Sequence, residues 1–208
     1  MSIGPDIEEV IDELGITATI IRSPVNLTEK ITYDVNEQAT NQFIREFLLN
    51  VSLRHNSVIV CGDTLQFNSG TYLVIHKTPD SFEGEVVENV SVVLKCNLPS
   101  SSLILKPIES VDQTTFEVTS GWSVRTSVVY GLIHNNISGA VLNKDAGAGK
   151  ETTFKLESIV PASYEVCKLD RIYLSSTEYY RVEYVEKWEF PSIHVLTLVE
   201  DDRIAYVP

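Results

Sequence analysis

The stretch best suited to chemistry is Ala146-Gly147-Ala148-Gly149-Lys150-Glu151-Thr152, a glycine-rich turn with a lysine. A phosphate-cradling loop needs glycine five residues before its Gly-Lys pair and Ser or Thr directly after the lysine. The backbone then cradles phosphates and the hydroxyl meets magnesium. Here Lys144 holds the first position and Glu151 the last, where a carboxylate repels phosphate. The stretch reads as a flexible loop. The four histidines (His55, His76, His134, His194) form no HxH or HxxxH pair, and the three cysteines (Cys61, Cys96, Cys167) form no CxxC. Zinc grammar is therefore absent, and the thiols suit a reducing compartment or simple burial. Asp63 and Asp170 begin two similar stretches and could pair as acid and base, but Asp before a strand more often caps a turn with its side chain. There is no Gly-x-Ser-x-Gly elbow and no cysteine with a persuasive His/Asn set. Carboxylates are plentiful, yet no glycosidase pair stands out. No catalytic, cofactor or metal site is expected.

The elements that carry these residues repeat. One stretch runs Gly62-Asp63-Thr64-Leu65-Gln66-Phe67-Asn68-Ser69-Gly70-Thr71-Tyr72-Leu73-Val74. The other runs Leu169-Asp170-Arg171-Ile172-Tyr173-Leu174, then Ser175-Ser176-Thr177-Glu178, then Tyr179-Tyr180-Arg181-Val182. Each has an Asp, a short alternating strand, a Ser-bearing turn and a strand opening on Tyr, with alternation that marks half-buried strands. Asn68-Ser69-Gly70 is expected to supply the positive φ of the first turn. Aromatics follow each hairpin, Phe82 in the first and Trp188 and Phe190 in the second, and the default expectation for them is a core or plug role.

Residues 5–15 read as a helix. Ile7, Val10, Ile11 and Leu14 fall at i, i+3, i+4 and i+7, Pro5 suits the first turn and Gly15 a stop. Strands are expected at 17–22, 30–35, 42–53, 57–60, 64–67, 71–76 and 86–95, then at 114–118, 123–132, 152–160, 162–166 and 193–199. Leu98-Pro99-Ser100-Ser101-Ser102 resembles a linker. The expected architecture is all-β, two related small β-barrel units with a short N-terminal α-helix. Its divisions are helix 1–15, first barrel 16–98, linker 99–112 and second barrel 113–208, the last with a long loop at 134–151. Ile137, Val141 and Leu142 give that loop an apolar tip suited to docking on a partner.

With 208 residues, 43% hydrophobic and 22% charged, the chain is ordinary for a soluble protein, but its net charge of −13 is not. That charge argues against binding a phosphate backbone, which needs clustered cations. It would suit DNA sliding past without sticking. No apolar run approaches the roughly 20 residues of a membrane span, and the first residues lack a signal-peptide pattern. The expectation is synthesis in a cytoplasm.

Several segments resemble head-closure, stopper and neck proteins of tailed phages. They are Met-Ser-Ile-Gly-Pro-Asp-Ile-Glu-Glu-Val at the start, Phe43-Ile44-Arg45-Glu46-Phe47, Gly62-Asp63-Thr64-Leu65-Gln66-Phe67 and Tyr72-Leu73-Val74 with Lys77-Thr78-Pro79. Pro161-Ala162-Ser163, Leu169-Asp170-Arg171-Ile172 and Tyr179-Tyr180-Arg181-Val182 continue it. The resemblance covers well over half the chain, though such stoppers are single barrels. It implies a virion structural protein made in the host bacterial cytoplasm and placed in the neck. Copies would form a six- or twelve-fold ring around the DNA channel, contacting portal or adaptor and tail proteins, with no membrane, cofactor or catalysis. The docking elements would be the helix (Ile7, Val10, Ile11, Leu14) and the loop (Ile137, Val141, Leu142). The alternatives are a carbohydrate- or receptor-binding β module of a tail tip or fibre, and a two-carboxylate hydrolase.

Overall fold

In the computed structural model, residues 4–22, 24–35, 47–111, 113–135, 156–188, 190–203 and 206 are described. The chain divides into two compact units, Met1–Cys96 and Asn97–Pro208. It is all-β with one short N-terminal helix.

In the first unit a helix, α1 (Gly4–Leu14), precedes six strands: β1 (Ile16–Ile21), β2 (Leu27–Val35), β3 (Leu48–Arg54), β4 (Thr64–Phe67), β5 (Gly70–Phe82) and β6 (Glu85–Lys95). They close into a barrel in the order β1-β2-β3-β6-β5-β4. Closure removes the open edges that would otherwise invite aggregation. β-branched and aromatic side chains fill the interior, with Ile20, Ile31, Val51, Leu53, Leu65 and Val74 fully buried. Phe67 and Tyr72 stack with ring centroids 4.2 Å apart. The β4–β5 turn takes positive φ at Asn68 (46°) and Ser69 (59°), the two central residues, as a two-residue hairpin of right-handed twist requires. Gly70, which follows them, is needed because a Cβ there would lie 2.7 Å from the Tyr72 ring.

The second unit contains β7 (Leu103–Val111), β8 (Val118–Ser127), β9 (Leu132–Asn135), β10 (Leu156–Pro161), β11 (Arg171–Tyr173), β12 (Tyr179–Glu186) and β13 (Ile193–Glu200). These form a sheet ordered β8-β7-β11-β12-β13-β10-β9. The pairings copy the first unit: β7 lies on β11 as β1 lies on β4, and β10 on β13 as β3 on β6. One strand differs. β2 pairs with β1 through Leu27 to Ile31 and with β3 through Thr32 to Val35. In the second unit that task is divided between β8, which pairs with β7, and β9, which pairs with β10. Between them Val128 takes φ of 60°, an unusual conformation for a β-branched residue, and Val129 dives into the core. The second unit is thus the same strand order with one strand broken.

Residues 99–112, expected as a linker, contain β7, because Leu103, Ile104 and Leu105 ladder onto β11. The contact boundary falls earlier, between Cys96 and Asn97. Residues 57–60 and 162–166, expected as strands, are a connecting segment and a 3₁₀ turn over Ala162–Tyr164. Both carry core residues, Ile59 and Val166, which explains their strand-like appearance.

Beyond Leu105 the second unit projects. Residues from Lys106 to Val111 pair only with those from Val118 to Ser123 among the described residues, and almost all are exposed. This two-stranded arm has no counterpart between β1 and β2.

Candidate functional site

Asp63 and Asp170 head the two hairpins, and the structure shows what each does. Asp63 is 8% exposed and Asp170 1%. The Asp63 Oδ2 accepts the Val60 N–H (2.7 Å) and the Asp170 Oδ2 the Cys167 N–H (2.8 Å), so each caps the turn before its strand. The backbone repeats as closely. Gly62 and Leu169 donate to the carbonyls of Val74 and Val182, and those valines donate back to Asp63 and Asp170. Gly62 has φ of 89° and Leu169 of 74°. Ahead of the hairpin turn the positions keep one constant offset, 54 to 161, 60 to 167 and 63 to 170, and the longer second turn then adds a residue, so that Val74 matches Val182.

Each aspartate also meets an arginine, by a different route. Arg22, directly after β1, donates through Nε to Asp63 Oδ1 (2.8 Å) and through Nη2 to Oδ2. That hydrogen bond raises the Arg22 pKa. Arg125 is the extra residue of a β-bulge, between Val124 opposite Leu105 and Thr126 opposite Ile104. The bulge turns its side chain inward. Its Nε lies 2.9 Å from Asp170 Oδ2 as an ion pair, with a longer hydrogen bond from Nη2 to Oδ1 at 3.4 Å. Both carboxylates are occupied by structural donors, so neither is poised for acid–base work.

A larger cluster lies in the second unit. Arg171 is fully buried, its guanidinium 3.9 Å from the Trp122 ring centroid and 4.4 Å from that of Tyr179. Its Nε donates to Asp201 Oδ2 (2.7 Å). Arg203 lies over the same Trp122 at 4.6 Å and donates to Asp201 through Nε (2.8 Å), Nη2 (2.7 Å) and its backbone N–H (3.1 Å). Burial alone would raise the Asp201 pKa. The bonds from Arg203 and Arg171 outweigh it and hold the carboxylate well below its usual range. Arg203 also donates to the Leu169 carbonyl (2.9 Å) and Arg171 to the Arg203 carbonyl (3.1 Å), so the cluster clamps the root of the arm to the segment after β13. Nothing in the sequence singled this out. Arg171 looked like the outward residue of an alternating strand.

The helix residues divide. Ile11 is buried (2% exposed) and Ile7 half-buried, whereas Val10 (51%) and Leu14 (75%) face outward. α1 packs on β2, β3 and β6 of its own barrel. The His55 Nδ1 lies 2.6 Å from Glu8, Arg54 pairs with Asp12, and Lys30 donates to the Asp12 carbonyl. Of the helical docking candidates, Val10 and Leu14 alone remain available. Ile137, Val141, Leu142 and the 146–152 stretch lie outside the described residues.

The histidines are dispersed. His194, 8% exposed, stands where the first unit has Asn89, since Leu53 faces Asn89 and Val160 faces His194. Asn89 donates to the carbonyls of Arg54 and His55. Burial, then the charge of Lys187, lowers the His194 pKa. No group of His, Cys, Asp and Glu among the described residues could hold a metal. Trp188 is 90% exposed and Phe82 47%, not the plugs expected of them, while Phe190 is half-buried. No helix among the described residues is long and apolar enough to cross a membrane.

No protein-family model, curated protein or solved structure matches the chain.

Proposed function

We propose that the chain is a structural component of a tailed-phage neck, assembling as a ring around the DNA channel between head and tail. The observation that carries this reading is how the most conspicuous charged groups are used. Asp63, Asp170, Asp201 and their arginines are committed to internal pins that stiffen a closed barrel and a sheet of related strand order. What faces outward is acidic surface and apolar projections, the equipment of an assembly part beside DNA. The resemblance of the Gly62–Phe67 and Leu169–Ile172 stretches to neck proteins supports the same reading. The test is immunogold labelling of virions that carry the protein. Label at the head–tail junction is expected; label at the tail tip or fibres would refute the neck assignment.

The second reading, a carbohydrate- or receptor-binding module, is favoured by one observation. Trp188 is 90% exposed, and Tyr184 beside it on β12 is 54% exposed. Such rings stack on sugar faces. A glycan array separates the two, because specific binding lost on Trp188→Ala would favour the module.

A further inference from the structure

We propose that the arm formed by β7 and β8 of one copy docks on the loop bearing Val58 and Val60 of a second copy, giving a head-to-tail contact. The inference rests on the ring reading only for closure; the contact stands or falls by itself.

The arm is built to touch something. A two-stranded ribbon is marginally stable alone, yet this one carries Ile108 (45%), Val111 (56%), Phe116 (78%) and Val118 (62%) in solvent. Val111 and Val118 face each other at its end. Phe116 takes φ of 57°, a costly conformation for a bulky residue, which presents the ring at the tip. Trp122, under the guanidinium groups of Arg171 and Arg203, anchors the root, so little freedom is lost on docking. Among the described residues, the charged groups nearest the tip are the exposed carboxylates of Glu109 and Glu117, neither in an ion pair.

The first unit offers the complement. Val58 (51%) and Val60 (52%) point outward on either side of buried Ile59. The Lys77 ammonium lies against this loop, donating to the carbonyls of Ser57 (3.0 Å) and Ile59 (2.8 Å), and no carboxylate pairs with it among the described residues. In a chain of charge −13, an apolar patch beside an unneutralised ammonium is where a like-charged copy can land acid-first. The constant offset shows why the second unit does not offer the same seat. Position 58 corresponds to 165, an exposed glutamate, and position 60 to Cys167. Arm and seat therefore lie on different units, so the contact is heterologous and propagates from copy to copy.

The test uses the full chain in analytical ultracentrifugation, with Phe116→Asp removing the tip, Val58→Asp removing the seat, and Val118→Asp as a second arm variant. All three sites are exposed, and retained melting temperature checks the fold. Wild type is expected to associate with concentration. Each variant alone should associate at least about 30-fold more weakly, as loss of a hot spot implies. An equimolar mixture of Phe116→Asp and Val58→Asp should give 1:1 dimers that grow no further, since one arm and one seat survive between them. A wild type that stays monomeric at all concentrations, variants that associate like wild type, or a mixture without dimers would each overturn the contact. Open head-to-tail chains would uphold it while refuting the ring; rings insensitive to all three variants would do the reverse.

Discussion

Replacing Asp201 with Asn keeps the shape of the side chain and removes its charge, and the structure gives the cost. Asp201 and Arg171 form an ion pair with both side chains fully buried, and Asp201 also receives three bonds from Arg203. Without the carboxylate, two guanidinium groups crowd one site and Arg171 loses the buried ion pair with Asp201. Breaking a buried pair from one side costs about 3–5 kcal/mol. The Trp122 and Tyr179 rings still face Arg171, and cation–π contacts of about 0.5–2 kcal/mol each place the expected loss near the lower end, about 3 kcal/mol. Against a domain stability of about 5–15 kcal/mol this is large. The assay is urea unfolding followed by tryptophan fluorescence. Both tryptophans, Trp122 and Trp188, belong to the second unit, so the signal reports that unit alone. With a slope of about 2 kcal/mol per molar, the midpoint should fall by about 1.5 M. The sign with pH follows. The folded pKa lies below the unfolded one, so the contribution is complete above about pH 4 and lost as pH falls further. A midpoint shift under about 0.5 M at neutral pH would refute the claim that this pair holds the unit together.

Two further substitutions test the repeat. Gly62→Ala should destabilise the first unit by about 1 kcal/mol, because φ of 89° favours glycine, while Leu169→Gly, at the matching position of the second, should be neutral or stabilising; urea melts followed by circular dichroism, which sees both units, read both. A destabilising Leu169→Gly would mean that the half-exposed leucine side chain packs usefully. His194 gives a separate acid dependence. Its pKa is lowered in the folded state, so protons favour the unfolded chain, and the second unit should lose stability as pH falls below about 6.5. His194→Asn, copying Asn89, should flatten that dependence below about pH 6.5 in the same fluorescence assay, and an unchanged slope would show that another group titrates.

Much of the fold was legible because it rests on local signals. The strand over residues 64–67 was expected at its observed bounds, and the Asp63 and Asp170 stretches announced two related units. The turn-capping role of both aspartates was also readable, since the capped N–H lies three residues before each carboxylate. What was hidden depends on distance. β7 looked like a linker because Pro99, Ser100, Ser101 and Ser102 precede it and Pro107 lies within it, yet its ladder to β11 is made across nearly 70 residues of chain. The burial of Arg171 arises from Trp122, Tyr179 and Asp201, residues that no short window brings together. The helix stripe was found as one face, but the barrel takes Ile7 and Ile11 and leaves Val10 and Leu14 outside.

The measurement that tests the central claim most directly is mass photometry of the purified full chain, followed by negative-stain imaging of any large species. The account predicts closed rings with a central hole, built from six or twelve copies. A trimer, or a chain that remains monomeric at every concentration up to its solubility limit, would contradict it.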